Sequence, residues 1–88
     1  MTNQRITSSM VKAEFKTLAD LLGKKVGSHK GNLRLSRNFV YGGYVVQEIV
    51  DHNGSIEYPF GIERRDTKTM YYALHFAIRV IDYRFKNG

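Results

Sequence analysis

Residues 41–55 decide the reading of this chain: Tyr41-Gly42-Gly43-Tyr44-Val45-Val46-Gln47-Glu48-Ile49-Val50-Asp51-His52-Asn53-Gly54-Ser55. An apolar run lies between two turn signals. Glycine adopts positive φ without steric penalty and asparagine tolerates it better than most residues, so Gly-Gly and Asn-Gly beside apolar runs mark hairpins. The stretch predicts the middle of a three-stranded antiparallel meander, with strands near 33–41, 44–51 and 55–60. Pro59 has no N–H to donate, so the third strand is expected at an edge.

Loop length sets the register. A two-residue Gly42-Gly43 loop pairs Tyr41 with Tyr44, Phe39 with Val46, Arg37 with Glu48 and Leu35 with Val50. Opposed residues share a face, so one face carries Leu33, Leu35, Phe39, Val46 and Val50. The other carries Arg34, Ser36, Asn38, Val40, Val45, Gln47 and Ile49. A three-residue loop, His52-Asn53-Gly54, then pairs Asp51 with Ser55 and brings Ile56, Tyr58 and Phe60 onto the apolar face. A slip of one residue would turn all three outward. In this register Arg37 and Glu48 oppose each other beside Tyr58, which reads as a structural ion pair in preference to a polar cleft.

A helix flanks the meander on each side. Val11, Phe15, Leu18 and Leu22 form one apolar stripe over about Ser9 to Leu22. Ser8 or Ser9 is the expected cap, and Gly23 the left-handed residue that ends the helix. The last helix starts at Asp66 and runs to about Phe85. It carries two stripes. Met70, Leu74, Ala77, Ile78, Ile81 and Phe85 face the sheet, and Tyr72, Phe76, Arg79 and Tyr83 lie opposite. The fold class is α+β, helix–strand–strand–strand–helix, with both helices on one sheet face.

Bulk properties narrow the function. Eighty-eight residues form a single domain over 1–88, with the first seven expected to be flexible. There is no cysteine, which excludes disulfides and thiolate metal sites. No apolar run is long enough to span a membrane and no signal-peptide pattern is present, so the cytoplasm is expected. A formal charge of +6 favours an acidic partner.

His29, His52 and His75 lack metal-ligand spacing, and no Ser-His-Asp order, phosphate-cradling loop or nucleotide fingerprint is present. No enzymatic activity, cofactor or metal is expected. Two basic groups remain: Lys24, Lys25 and Lys30 in the loop after the first helix, and Arg64, Arg65 and Lys68 around the start of the last. A helix start presents free N–H groups, so the second group suits phosphate. The stripe of Tyr72, Phe76, Arg79 and Tyr83 has the composition of an interface anchor.

The element order resembles that of double-stranded-RNA-binding domains, with Gly61-Ile62-Glu63-Arg64-Arg65-Asp66-Thr67-Lys68 where their basic helix start lies. Three strands followed by a helix also look like integrase arm-binding and plant AP2-type DNA-binding domains. Leu33-x-Leu35, Tyr41-Gly42-Gly43-Tyr44 and Pro59-Phe60-Gly61 before a long helix look like small accessory proteins of phages and mobile elements. The first two resemblances imply nucleic-acid binding. The last implies binding and inhibition of host machinery, in the host cytoplasm if the chain is phage-encoded. The expectation is a homodimeric, non-enzymatic regulator or inhibitor acting on a host protein, with DNA or RNA binding through the two basic groups as the alternative.

Overall fold

The computed structural model describes residues 5–37 and 42–87, with the side chains of 85–87 outside the description. The order is α1 (Ser8–Leu21), β1 (Leu33–Arg37), β2 (Tyr44–Ile49), β3 (Ile56–Glu57) and α2 (Thr67–Asn87). The sheet is antiparallel in the order β1-β2-β3, which leaves β3, just before Pro59, at an edge as expected.

Both helices cover one face. Val11, Phe15, Leu18 and Ala19 of α1 meet Met70 and Leu74 of α2 over Leu33, Tyr44 and Val46. Each large side chain buried there contributes about 1.5–3 kcal/mol. Ile6, Leu35, Phe60, Tyr71, Ala77, Ile78 and Ile81 pack around this centre. Phe85 lies outside the described side chains, and Leu22 turns to solvent at the end of its helix.

The helix ends follow local hydrogen bonding. Thr7, not Ser8 or Ser9, caps α1, and its Oγ1 accepts from the Met10 N–H at 3.3 Å. Ser8 is committed elsewhere, since its hydroxyl meets the Tyr44 hydroxyl at 2.8 Å. At the other end Gly23 takes φ 69°, and the N–H groups of Gly23 and Lys24 donate back to the carbonyls of Asp20 and Ala19. These are the paired bonds of a Schellman ending.

The strand register differs from the sequence reading at both turns. Leu35 pairs with Val46, and Arg37 with Tyr44, a shift of four residues that leaves each side chain on its expected face. The reason is a competing partner. Tyr44 N–H donates to the Arg65 carbonyl at 2.7 Å, and Arg65 N–H donates back at 3.0 Å. A two-residue turn would need those same Tyr44 groups for Tyr41. Gly42 and Gly43 do take positive φ, but Tyr44 pairs with Arg37 and not with Tyr41. Asn38, Phe39, Val40 and Tyr41 lie outside the described residues. The expected Arg37–Glu48 pair is absent: Arg37 lies over the Tyr44 ring, 5.5 Å from its centroid, and Glu48 bonds Lys24 at 3.0 Å.

The second turn is one residue longer than expected. Asp51 Oδ1 accepts the N–H groups of Asn53 and Ser55, at 2.9 and 3.0 Å, which draws Asp51 into the loop as an Asx turn. The closing bond is therefore Val50 N–H to the Ser55 carbonyl, and Ile56 opposes Ile49. Ile56 thus shares the face of Val45, Gln47 and Ile49, opposite the one predicted. That face is itself largely closed, since Val45, Gln47 and Ile49 are all buried. Gln47, expected outside, accepts from Arg34 Nε at 2.9 Å. Tyr58 is exposed, whereas Phe60 reaches the core through a Tyr58–Gly61 turn instead of through strand register.

Gly43 is the test of the Tyr44–Arg65 bridge. A Cβ at Gly43 would lie 2.9 Å from Arg64 Cβ, while one at Gly42 would meet nothing within 4 Å, although both have positive φ. Gly42→Ala is expected to cost about 1 kcal/mol through backbone strain alone, and Gly43→Ala clearly more, about 2–3 kcal/mol. Urea unfolding that gives equal losses would remove the close approach.

Candidate functional site

The stripe of Tyr72, Phe76, Arg79 and Tyr83 lies on the solvent side of α2. Tyr72, Phe76 and Tyr83 are 52%, 70% and 69% exposed, and Arg79 is exposed beside them. Val80, 49% exposed, belongs to the same surface, because at about 100° per residue it lies next to Phe76. The sequence reading assigned Val80 to neither stripe. The surface is rooted in the seam between the helices. The Tyr72 ring meets Tyr71 edge-on at 5.5 Å, and Tyr71 stacks on His75 at 5.9 Å. His75 Nδ1 in turn lies 3.3 Å from Glu14 Oε2 of α1.

The six basic candidates are not brought together. Lys24 is tied to Glu48, and the Arg65 guanidinium donates to the Phe60 carbonyl at 3.0 Å. Arg64 and Lys68 are exposed near the start of α2. That helix start already holds an anion: Asp66 Oδ1 accepts the Thr69 N–H at 2.7 Å. Donation from the Thr69 main chain and hydroxyl holds the Asp66 carboxyl below its usual range, with Lys68 adding to the effect. An internal carboxylate thus occupies the position proposed for phosphate. Lys30 borders a small pocket of about 290 Å³ with His29, Asp51 and His52. Among the described residues no group of three or more His, Cys, Asp or Glu side chains is placed to hold a metal.

A larger groove, about 730 Å³, runs between α1, the loop after it and β1. Lys12, Lys16 and Asp20 line one wall, Lys24, Lys25 and Ser28 the loop side, and Arg34 and Leu35 the strand side. Of the six basic candidates only Lys24 and Lys25 reach it. Grouping charges by loop missed the helical spacing of Lys12 and Lys16, four residues apart, which places both beside Lys25.

Among the described residues no helix is long and apolar enough to cross a membrane. No family model matches the chain, and neither a curated protein nor a solved structure is significantly similar to it.

The cap at Asp66 carries a pH signature. Its carboxyl titrates below its unfolded value in the folded chain, so its contribution is full above the unfolded value and is lost as pH falls through the folded one. Urea unfolding of the wild type is expected to show falling stability below about pH 4. Asp66→Asn, which caps without ionising, should flatten that fall; an unchanged slope would refute the cap's charge effect.

Proposed function

We propose that this chain is a non-enzymatic binding module that works as a homodimer joined along α2 and engages a partner protein, as a regulator or inhibitor of the phage accessory type acting in the cytoplasm. The observation that carries the reading is the exposed surface of Tyr72, Phe76, Val80 and Tyr83. Monomeric proteins rarely leave contiguous large apolar patches in water. A two-fold contact covers the same patch on both copies at once.

Area and geometry suit a second copy. Four half- to two-thirds-exposed side chains of this size, doubled, give about 1,000 Å² of buried surface, the lower bound for a specific interface. An antiparallel pairing with Phe76 near the axis sets Tyr72 of one copy against Val80 of the other. Arg79 flanks the aromatic cluster, where a guanidinium is favoured by aromatic faces. Protein is favoured over nucleic acid because Lys24 and Arg65 are committed internally and Asp66 takes the helix start.

Phe76→Asp is expected to convert a dimer to a folded monomer in sedimentation velocity, since a charge buried without a partner is costly. A wild type that stays monomeric at high concentration would end the dimer reading. Retention on DNA or RNA columns at low salt, lost steeply as salt rises and weakened by replacing Arg64, Arg65 and Lys68 with Ala, would favour nucleic acid instead.

A further inference from the structure

We propose that the groove beside β1 takes an extended acidic segment of a partner protein, which adds to the sheet as a strand along the outer edge of β1. The proposal rests on the protein-binding reading above but uses no residue of α2.

Among the described residues the edge is open at a defined position. The main chain of Leu33 points away from β2, with its N–H and C=O bonded to the carbonyl of Lys25 and the N–H of Gly27. The Lys25–Gly27 stretch thus runs parallel to β1 for a single bridge, Val26 to Leu33, and then departs at Ser28. Main-chain groups alternate in direction along a strand, so Leu35 also presents its N–H and C=O away from β2. Its pairing with Val46 is of the type that exchanges no hydrogen bonds, because Asn32 accepts from Ile49 across the sheet, Leu33 bonds outward, and the direction alternates from there along β1. Among the described residues none bonds the Leu35 main chain. A strand edge of this kind is a template for added backbone.

Charge names the occupant. Lys12, Lys16 and Lys25 line the groove and form no ion pair with a described residue, while Asp20 is the one acid in the lining. Phe15, Val26 and Leu35 supply apolar contact beside them. A peptide backbone satisfies both the donor and the acceptor of Leu35. A phosphodiester backbone carries acceptors only and would leave the Leu35 carbonyl unpaired. A strand alternating carboxylates with β-branched residues fits all three features: the edge, the lysines and the apolar floor.

The test is fluorescence anisotropy of a fluorescein-labelled peptide alternating Asp and Val, titrated with the full chain, together with the Leu35 amide resonance. Saturable binding that weakens with salt and shifts the Leu35 amide is expected. Lys12→Glu with Lys16→Glu should weaken it by at least about tenfold. N-methylation of alternate peptide bonds should abolish it, since the main-chain bonds are then lost. The Phe76→Asp chain should bind equally well per chain, which separates failure of the groove from failure of the dimer. No binding, binding indifferent to N-methylation or to the two lysines, or tighter binding of oligodeoxythymidylate in the same groove would each overturn the proposal.

Discussion

Tyr44 is held on every side it presents. Its hydroxyl meets Ser8 at the start of α1, at 2.8 Å. Its main-chain N–H and C=O are both bonded to Arg65, at the entry to α2. The Arg37 guanidinium of β1 lies over its ring. With 2% of its surface exposed, it needs a partner for its phenol, and Ser8 provides one. One residue of β2 thus fixes the positions of both helices and of the neighbouring strand. Loss of its ring would open a cavity costing about 3–5 kcal/mol, a large part of the 5–15 kcal/mol that holds a small domain together. Both candidate surfaces depend on it, because α1 forms one wall of the groove and α2 carries the aromatic stripe.

The architecture was legible because hydrophobic periodicity and helix ends are local signals. Val11, Phe15 and Leu18 at helical spacing, Gly23 after them and Asp66 before the last helix each act within a few residues. The register was less legible because it is decided by partners distant in sequence. Gly42-Gly43 correctly marked positive φ, but nothing local shows that Arg65 claims the Tyr44 backbone. The shift it causes is even, so Leu33, Leu35 and Val46 kept their face. At the second turn Asp51 Oδ1 displaces its own backbone as the acceptor for Ser55, and an odd shift moved Ile56 across the sheet.

The aromatic stripe could be read before the fold was known, because one helix decides which side chains share a face. The basic groove could not. It joins Lys12 and Lys16 of α1 to Lys25 and Arg34 across a turn whose path depends on the Schellman ending at Gly23 and the Val26–Leu33 bridge. Charges grouped by sequence proximity instead suggested a cluster of Lys24, Lys25 and Lys30, which the fold divides: Lys24 pairs with Glu48, and Lys30 lines a different pocket from Lys25. The two surfaces share no residue, so a dimer along α2 would leave a groove available on each copy. Two grooves on one such dimer would raise the effective concentration for the proposed partner if its acidic segments were repeated.

The dimer is the centre of this account, and a distance measurement addresses it most directly. The chain has no cysteine, so Arg84→Cys supplies a single attachment point for a spin label on the exposed side of α2. An antiparallel pair centred on Phe76 places the two labels eight residues from the axis in opposite directions, about 25 Å apart at the helical rise. Double electron–electron resonance is predicted to give one narrow distribution near that separation, abolished by Phe76→Asp. A signal with no intermolecular dipolar coupling, or a distribution unaffected by Phe76→Asp, would contradict the account.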